Sequence, residues 1–280
     1  MLKNVTMAMI VAVALPSGIV VSAQTQDRKN SEIECIYEYK VTNPKGVTDT
    51  YSTILQFDRR SAKFYDYSAF QLDSVSQSKG ATKEQIDAYR IKEMRNDYFF
   101  DQTVLQNEPK GNLTIYSTIT PDNYTYTESF PNIDWTLAEE SDTVCGYPCK
   151  KASGEYGGRT WTVWYTPDIP VTFGPWKLCG LPGLVLSAAD DEGIHHFDAI
   201  VIRNGTTPIT ESNATNVIST TREKFIKSKN HFEENPMQNL PVEAISEMSI
   251  QKYDDGGKAV LINVMQLRLR PNGYIPLEIR

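Results

Sequence analysis

Apolar and polar residues alternate along most of the chain. In Ile33-Glu34-Cys35-Ile36-Tyr37-Glu38-Tyr39-Lys40 and Tyr51-Ser52-Thr53-Ile54-Leu55-Gln56-Phe57 the period is two, the spacing that sends successive side chains to opposite faces of a strand. Similar runs rich in Tyr, Thr, Ile and Val predict strands over 63–67, 102–106, 113–119, 124–128, 159–165, 184–188, 195–203 and 258–269. Helical signals are confined to two places. Thr82 and Thr221 each precede a short charged run, as helix N-caps do, predicting helices over 82–96 and from 221 to a stop before Pro236. Both are expected against a sheet edge or rim. Asn43-Pro44-Lys45-Gly46, Asp190-Asp191-Glu192-Gly193 and Asp254-Asp255-Gly256-Gly257 supply the residues tight turns require. The acidic turns lack the further spaced oxygen ligands of a calcium loop, so they read as turns.

This pattern predicts a mainly β fold: a curved antiparallel sheet, half-barrel-like or a sandwich, with a few short helices. No fixed-period repeat, low-complexity tract or linker divides the chain, so a single β-rich domain is expected over 24–280. Segments 211–219 and 236–249 are the least patterned and read as rim loops or an extra lobe.

The first residues change the picture by fixing a compartment. Met1-Leu2-Lys3, an apolar run from Met7 to Leu15, the break Pro16-Ser17-Gly18 and the small-residue end Val21-Ser22-Ala23 have the order of a cleavable secretory signal, predicted over 1–23. Pro16 and Gly18 interrupt the run well before the roughly 20 residues of a membrane span, and no second long apolar run follows. The mature protein is therefore expected to be soluble and exported, in the periplasm or cell envelope. The formal net charge is −7, and Lys3 is the only charged residue in 1–23, so cleavage makes the chain more acidic. Without a Lys/Arg cluster such a chain is poorly suited to nucleic acid or anionic lipid.

Cys35, Cys145, Cys149 and Cys179 all lie beyond the signal, and an even number in an oxidising compartment favours two disulfides. One pairing closes a tight loop between Cys145 and Cys149 and ties Cys35 to Cys179; the crossed pairings stay open. Cys-x3-Cys without a matching second pair does not make a zinc site, and no metal or cofactor is implied.

The most distinctive stretch runs from 158 to 193. Trp161, Val163 and Tyr165 share one face of its opening strand and Trp164 the other. Pro167, Pro170, Pro175 and Pro182 then deny the connection regular pairing, because proline lacks the backbone N–H. Its Ile169, Val171, Phe173, Trp176, Leu178 and Leu181 would forgo about 1.5–3 kcal/mol each if left wet, so the segment is expected to fold over a hydrophobic surface as an ordered plug. Leu181-Pro182-Gly183-Leu184 has the residues of a type II turn, with Gly183 at the positive-φ position.

Gly180-Leu181-Pro182-Gly183-Leu184-Val185 resembles the signature of the GLPGLI family of exported bacterial proteins, with Val185 in place of the final Ile. The resemblance extends through Trp164-Tyr165-Thr166-Pro167-Asp168-Ile169-Pro170 and Gly174-Pro175-Trp176, and Gly146–Ala152 is similar to that family's approach to the region. It implies a signal peptide, a predominantly β fold and an envelope location. It implies no established reaction and no catalytic residue.

Catalytic signatures are sparse. His195-His196 and His231 are the only histidines, and adjacent residues on a strand cannot jointly hold one metal. No nucleophile elbow, His-Glu-x-x-His or phosphate-binding loop occurs. Asp168, Asp190, Asp191 and Glu192 bracket the plug and supply a hydrolase alternative through paired carboxylates. The preferred expectation is a binding or accessory protein whose Trp161, Trp164, Tyr165, Phe173 and Trp176 engage a hydrophobic ligand, a peptide or an envelope protein; the competing reading is that these rings form the core. A third class is a structural or assembly partner acting through an exposed sheet edge.

Overall fold

The computed structural model describes residues 31–94, 99–209, 216–252, 258–263, 265–267, 270 and 272–279. The predicted signal over 1–23 and the turn over 254–257 lie outside the described residues.

The chain opens with β1 (Ile33–Thr42), β2 (Thr48–Phe57) and β3 (Ala62–Asp66), followed by α1 (Tyr67–Gln77) and α2 (Lys83–Met94). Next come β4 (Gln102–Gln106), β5 (Asn112–Ile119), β6 (Asp122–Ser129), β7 (Thr136–Val144), β8 (Tyr147–Tyr156) and β9 (Arg159–Thr166). After the plug the chain forms β10 (Leu184–Asp190), β11 (His195–Asn204), β12 (Val217–Ser219) and α3 (Arg222–Glu234). It ends in β13 (Met248–Lys252), β14 (Lys258–Ile262) and β15 (Met265–Gln266).

Strands β1 to β12 build one open, curved sheet of 12 strands in the order β12-β6-β5-β4-β3-β2-β1-β11-β10-β9-β8-β7. Pairing is antiparallel except where β12, from the weakly patterned stretch, runs parallel to β6. β13 to β15 form a separate three-stranded sheet, whose first strand begins at the end of the other weakly patterned stretch.

Alternation sorts the two faces. Cys35, Tyr37 and Tyr39 of β1, with Leu55 and Phe57 of β2 and Phe64 of β3, enter the large core on the inner face. Ile36, Ile54 and Tyr65 point to the outer face and form a second, smaller core with Phe70 of α1. The central strands are thus covered on both sides, which is why β2 ends in five consecutive buried residues instead of an alternating pattern. Asp66 starts α1 by accepting from the backbone N–H of Ser68 at 2.8 Å and Ala69 at 3.3 Å. α2 and α3 occur where Thr82 and Thr221 indicated; α3 lies over β5 and β6, whereas α2 packs on α1.

The plug is ordered. Ile169, Phe173, Trp176, Leu178 and Leu181 are buried, and Val185 and Gly180 donate to the carbonyls of Phe173 and Thr172 at 3.1 and 2.8 Å. Two expectations for this region are corrected. First, Gly183 does not have the positive φ of a type II turn; the positive-φ residues of the plug are Trp176, at +53°, and Gly180, at +99°. Gly183 is needed for close approach, because a Cβ there would lie 2.3 Å from the Thr166 carbonyl oxygen. Second, no disulfide joins Cys35, Cys145, Cys149 and Cys179 in this structure. Cys145 sits in the β7–β8 turn while Cys149 pairs with Asp142 further along the hairpin, so no tight loop closes between them. The thiols of Cys149 and Cys179 instead donate to the carbonyls of Tyr147 and Lys177, and Cys35 is buried in β1.

Candidate functional site

The inner face is where the plug, α3, Arg270 and residues 272–279 meet, and among the described residues its polar chemistry is concentrated in three clusters of buried charge. The first joins four elements. Lys177, in the plug and 0 % exposed, contacts Glu128 of β6 at 2.6 Å, the Glu278 carboxylate and, at 3.1 Å, the hydroxyl of Tyr126. Arg222, the first residue of α3, bridges the same two carboxylates at 3.4 Å to Glu128 and 3.1 Å to Glu278. Burial opposes the Lys177 charge, but Glu278, Tyr156 and Glu128 outweigh it and raise its pKa above the ordinary lysine value. Two cations and two anions therefore neutralise each other in a largely buried site that Arg222, 28 % exposed, connects to solvent.

The second cluster holds the main chain of residues 276–277. Arg159, at the start of β9, is oriented by Asp190 at 2.7 Å and donates to the carbonyls of Leu277 at 3.2 Å and Pro276 at 3.0 Å. His195 of β11 lies 3.2 Å from the same Pro276 carbonyl through Nε2 and 2.8 Å from the Tyr39 hydroxyl through Nδ1. A carbonyl can only accept, so Nε2 carries the proton and Nδ1 accepts from Tyr39. Burial, reinforced by the Arg159 charge, depresses the His195 pKa to about 3 against the weaker opposing effect of the Pro276 carbonyl, so the ring is neutral at ordinary pH.

In the third cluster Asp101 meets Lys229 of α3 at 2.9 Å and Arg270 at 3.2 Å. Burial works to raise the Asp101 pKa, yet the two cations prevail and hold it at about 2. Arg270 also lies over the rings of Phe99 at 5.0 Å and Tyr274 at 5.3 Å. Beside it is a cavity of about 30 Å³ lined in part by Tyr39, Tyr51, Phe99, Asp101, Arg270 and Tyr274, room for a water molecule or two.

Of the aromatic residues singled out from the sequence, Trp161, Tyr165, Phe173 and Trp176 are buried in the inner core, and Trp164 is half-buried on the other face. Trp161 and Trp176 lie 5.9 Å apart, and their N–H groups donate to the Tyr156 carbonyl and the Gln102 side chain. In the motif, Gly180 turns the chain, Leu181 and Leu184 are buried, Pro182 is exposed and Gly183 contacts Thr166. Of the bracketing carboxylates, Asp190 and Glu192 meet on Arg159 Nη1, at 2.7 and 3.2 Å, and Asp168 stands apart from them. Asp190 faces Trp161 at the start of β9, whereas Asp168 lies beyond Thr166 at its far end, a separation of more than about 15 Å at the rise of a strand. A glycosidase-type pair needs roughly 5–9.5 Å. Asp190 is committed to Arg159 and to the N–H groups of Ile194 and His195 at 2.7 and 2.8 Å.

Lys177, Glu128, Arg222, Glu278, Arg159, Asp101, Lys229 and Arg270 carry the clusters, and none was singled out from the sequence. Two had a signal. Lys177 is a lone charge in Gly-Pro-Trp-Lys-Leu, and Glu278 is another in Ile-Pro-Leu-Glu-Ile. An isolated charge in an apolar run is buried with a partner or not buried at all.

The family model described as "N-glycanase peptide, N-terminal domain" matches residues 71–214. Among solved structures, "Structure of PNGF-II in C2 space group" is similar with a TM-score of 0.50 and 16 % identity, covering 82 % of this chain and 39 % of that one. "Structure of PNGF-II in P21 space group" has a TM-score of 0.48 and 14 % identity, covering 83 % and 40 %. The chain thus spans well under half the length of these structures, and the first likeness concerns the fold alone. No curated protein matches the chain.

Proposed function

The chain belongs to the family described as "N-glycanase peptide, N-terminal domain", and on that premise we propose that it is an exported accessory domain that recognises N-glycosylated protein without cleaving it. The observation that carries this reading is the mutual pairing of the inner-face charges. Lys177, Arg222, Glu128 and Glu278 neutralise one another, and His195 is neutral and held on both nitrogens. A general acid or base must reach the substrate from such a position, and these groups face protein.

Recognition is assigned to the opening beside Arg270. The cavity itself is too small for a sugar, so contact is assigned to the surface at its mouth, where Tyr274 is half-buried and Asn272 donates to Asp49. Rings beside amide and carboxylate groups suit a sugar, which presents C–H faces and hydroxyls together. Export is supported by the signal read over 1–23, and the GLPGLI resemblance belongs to the same proposal of an exported β-rich domain. The alternative of strand addition is weakened by β7, an exposed edge strand that carries Glu139, Glu140 and Asp142 and a register shift, features that discourage edge pairing.

The test is to titrate the protein with a high-mannose N-glycopeptide and with the sugar-free peptide, following binding by calorimetry and the glycopeptide by mass spectrometry. Glycan-dependent binding, an unchanged glycopeptide mass and about tenfold weaker binding by Tyr274→Ala are expected. Release of the glycan overturns the accessory assignment, and equal or absent binding of the two peptides overturns the recognition.

A further inference from the structure

Residues 276–279 lie on the inner face as a bound peptide would. They belong to no helix or strand, yet Leu277 and Glu278 are 7 % and 6 % exposed. Their main chain is read at three points: the Pro276 carbonyl by Arg159 and His195, the Leu277 carbonyl by Arg159, and the Ile279 N–H by the Gly157 carbonyl at 2.7 Å. Their one charged side chain is read by Lys177 and Arg222. Gly157, in the β8–β9 turn, leaves room for this passage, since a Cβ there would lie 3.2 Å from Glu278 Cγ.

Each reading group has a second anchor on the body of the protein. Asp190 orients Arg159, Tyr39 orients His195, and Glu128 holds both Lys177 and Arg222. The cradle therefore keeps its geometry without residues 276–279. Withdrawing Glu278 would leave two cations facing the single carboxylate of Glu128, an uncompensated positive charge at a buried site.

We propose that this cradle is a recognition site for an extended peptide segment with a carboxylate side chain between aliphatic residues, and that Leu277-Glu278-Ile279 is its resident, self-blocking occupant. The partner is a protein segment of the same chemistry, which displaces the resident by offering the same carboxylate and main-chain groups. The inference shares Tyr39 and Leu277 with the cavity beside Arg270 but does not rest on the glycan reading.

The experiment uses the full chain and a fluorescent peptide with the sequence of residues 272–279. Glu278→Gln weakens the resident and leaves the cradle, so E278Q is expected to bind the peptide at least about tenfold more tightly than the wild type. A peptide with Gln in place of its Glu is expected to bind neither protein. A folded E278Q that does not distinguish the two peptides overturns the proposal. Should E278Q fail to fold, hydrogen exchange on the wild type decides: an Ile279 amide that exchanges well before the β9 and β10 amides supports a displaceable occupant. One that exchanges only with global unfolding overturns it.

Discussion

Lys177 is the residue on which most depends, because it joins the plug to β6 and to Glu278 with no exposure to water. Removing one partner of a buried ion pair leaves the others uncompensated, at a cost of about 3–5 kcal/mol. Lys177→Met is therefore expected to lower the unfolding free energy by that amount in urea titrations. Lys177→Met combined with Glu278→Leu, which removes one charge of each sign, is expected to recover a large part of the loss. If the double variant is no more stable than the single one, the cluster is not a coupled unit. Lys177 and Glu278 stand out in the sequence as solitary charges, but 101 positions separate them, and nothing in a linear pattern says that one answers the other.

The plug shows how an element can be legible in outline and misread in detail. Its prolines and apolar residues announce an ordered connection packed over the sheet, and it is one. The role of Gly183 depends on the Thr166 carbonyl, which comes near only when β9 and β10 pair. Gly183→Ala is accordingly expected to cost at least about 2 kcal/mol or to abolish folding, since the clash is with main chain. Gly146→Ala, at φ +81° with open space around it, is expected to cost only about 1 kcal/mol. Thermal unfolding of the two variants checks the order; equal losses would restore a purely conformational reading of Gly183. Other elements were hidden for clear reasons. β7 is exposed along nearly its whole length and shows no apolar face. α1 has few strong helix formers, and its signal was Asp66 as N-cap.

At the scale of the whole molecule the buried, neutral His195 links stability to pH. Its folded pKa of about 3 lies below the ordinary 6.5, so between these values the unfolded chain takes up a proton that the folded chain refuses. This contribution to stability is complete above the unfolded value and is lost as the pH falls toward the folded one. From pH 7 to pH 5 the wild type is expected to lose about 2 kcal/mol more than His195→Gln. Asp101 acts in a lower window, from its ordinary 3.8 down to about 2, so it does not confuse the comparison. Parallel losses in the two proteins would mean that His195 is not the titrating group.

The alternation of side chains by itself determined that this is a β protein, because the two-residue period follows from strand geometry and needs no knowledge of neighbours. The capping threonines placed α2 and α3 for the same local reason. Which strands become neighbours, which face α1 covers, and that Lys177, Arg222, Glu128 and Glu278 share one site were decided only by the tertiary structure. Pairing between distant charges depends on positions in space, and those exist only once the sheet has brought β6, the plug, α3 and residues 272–279 together.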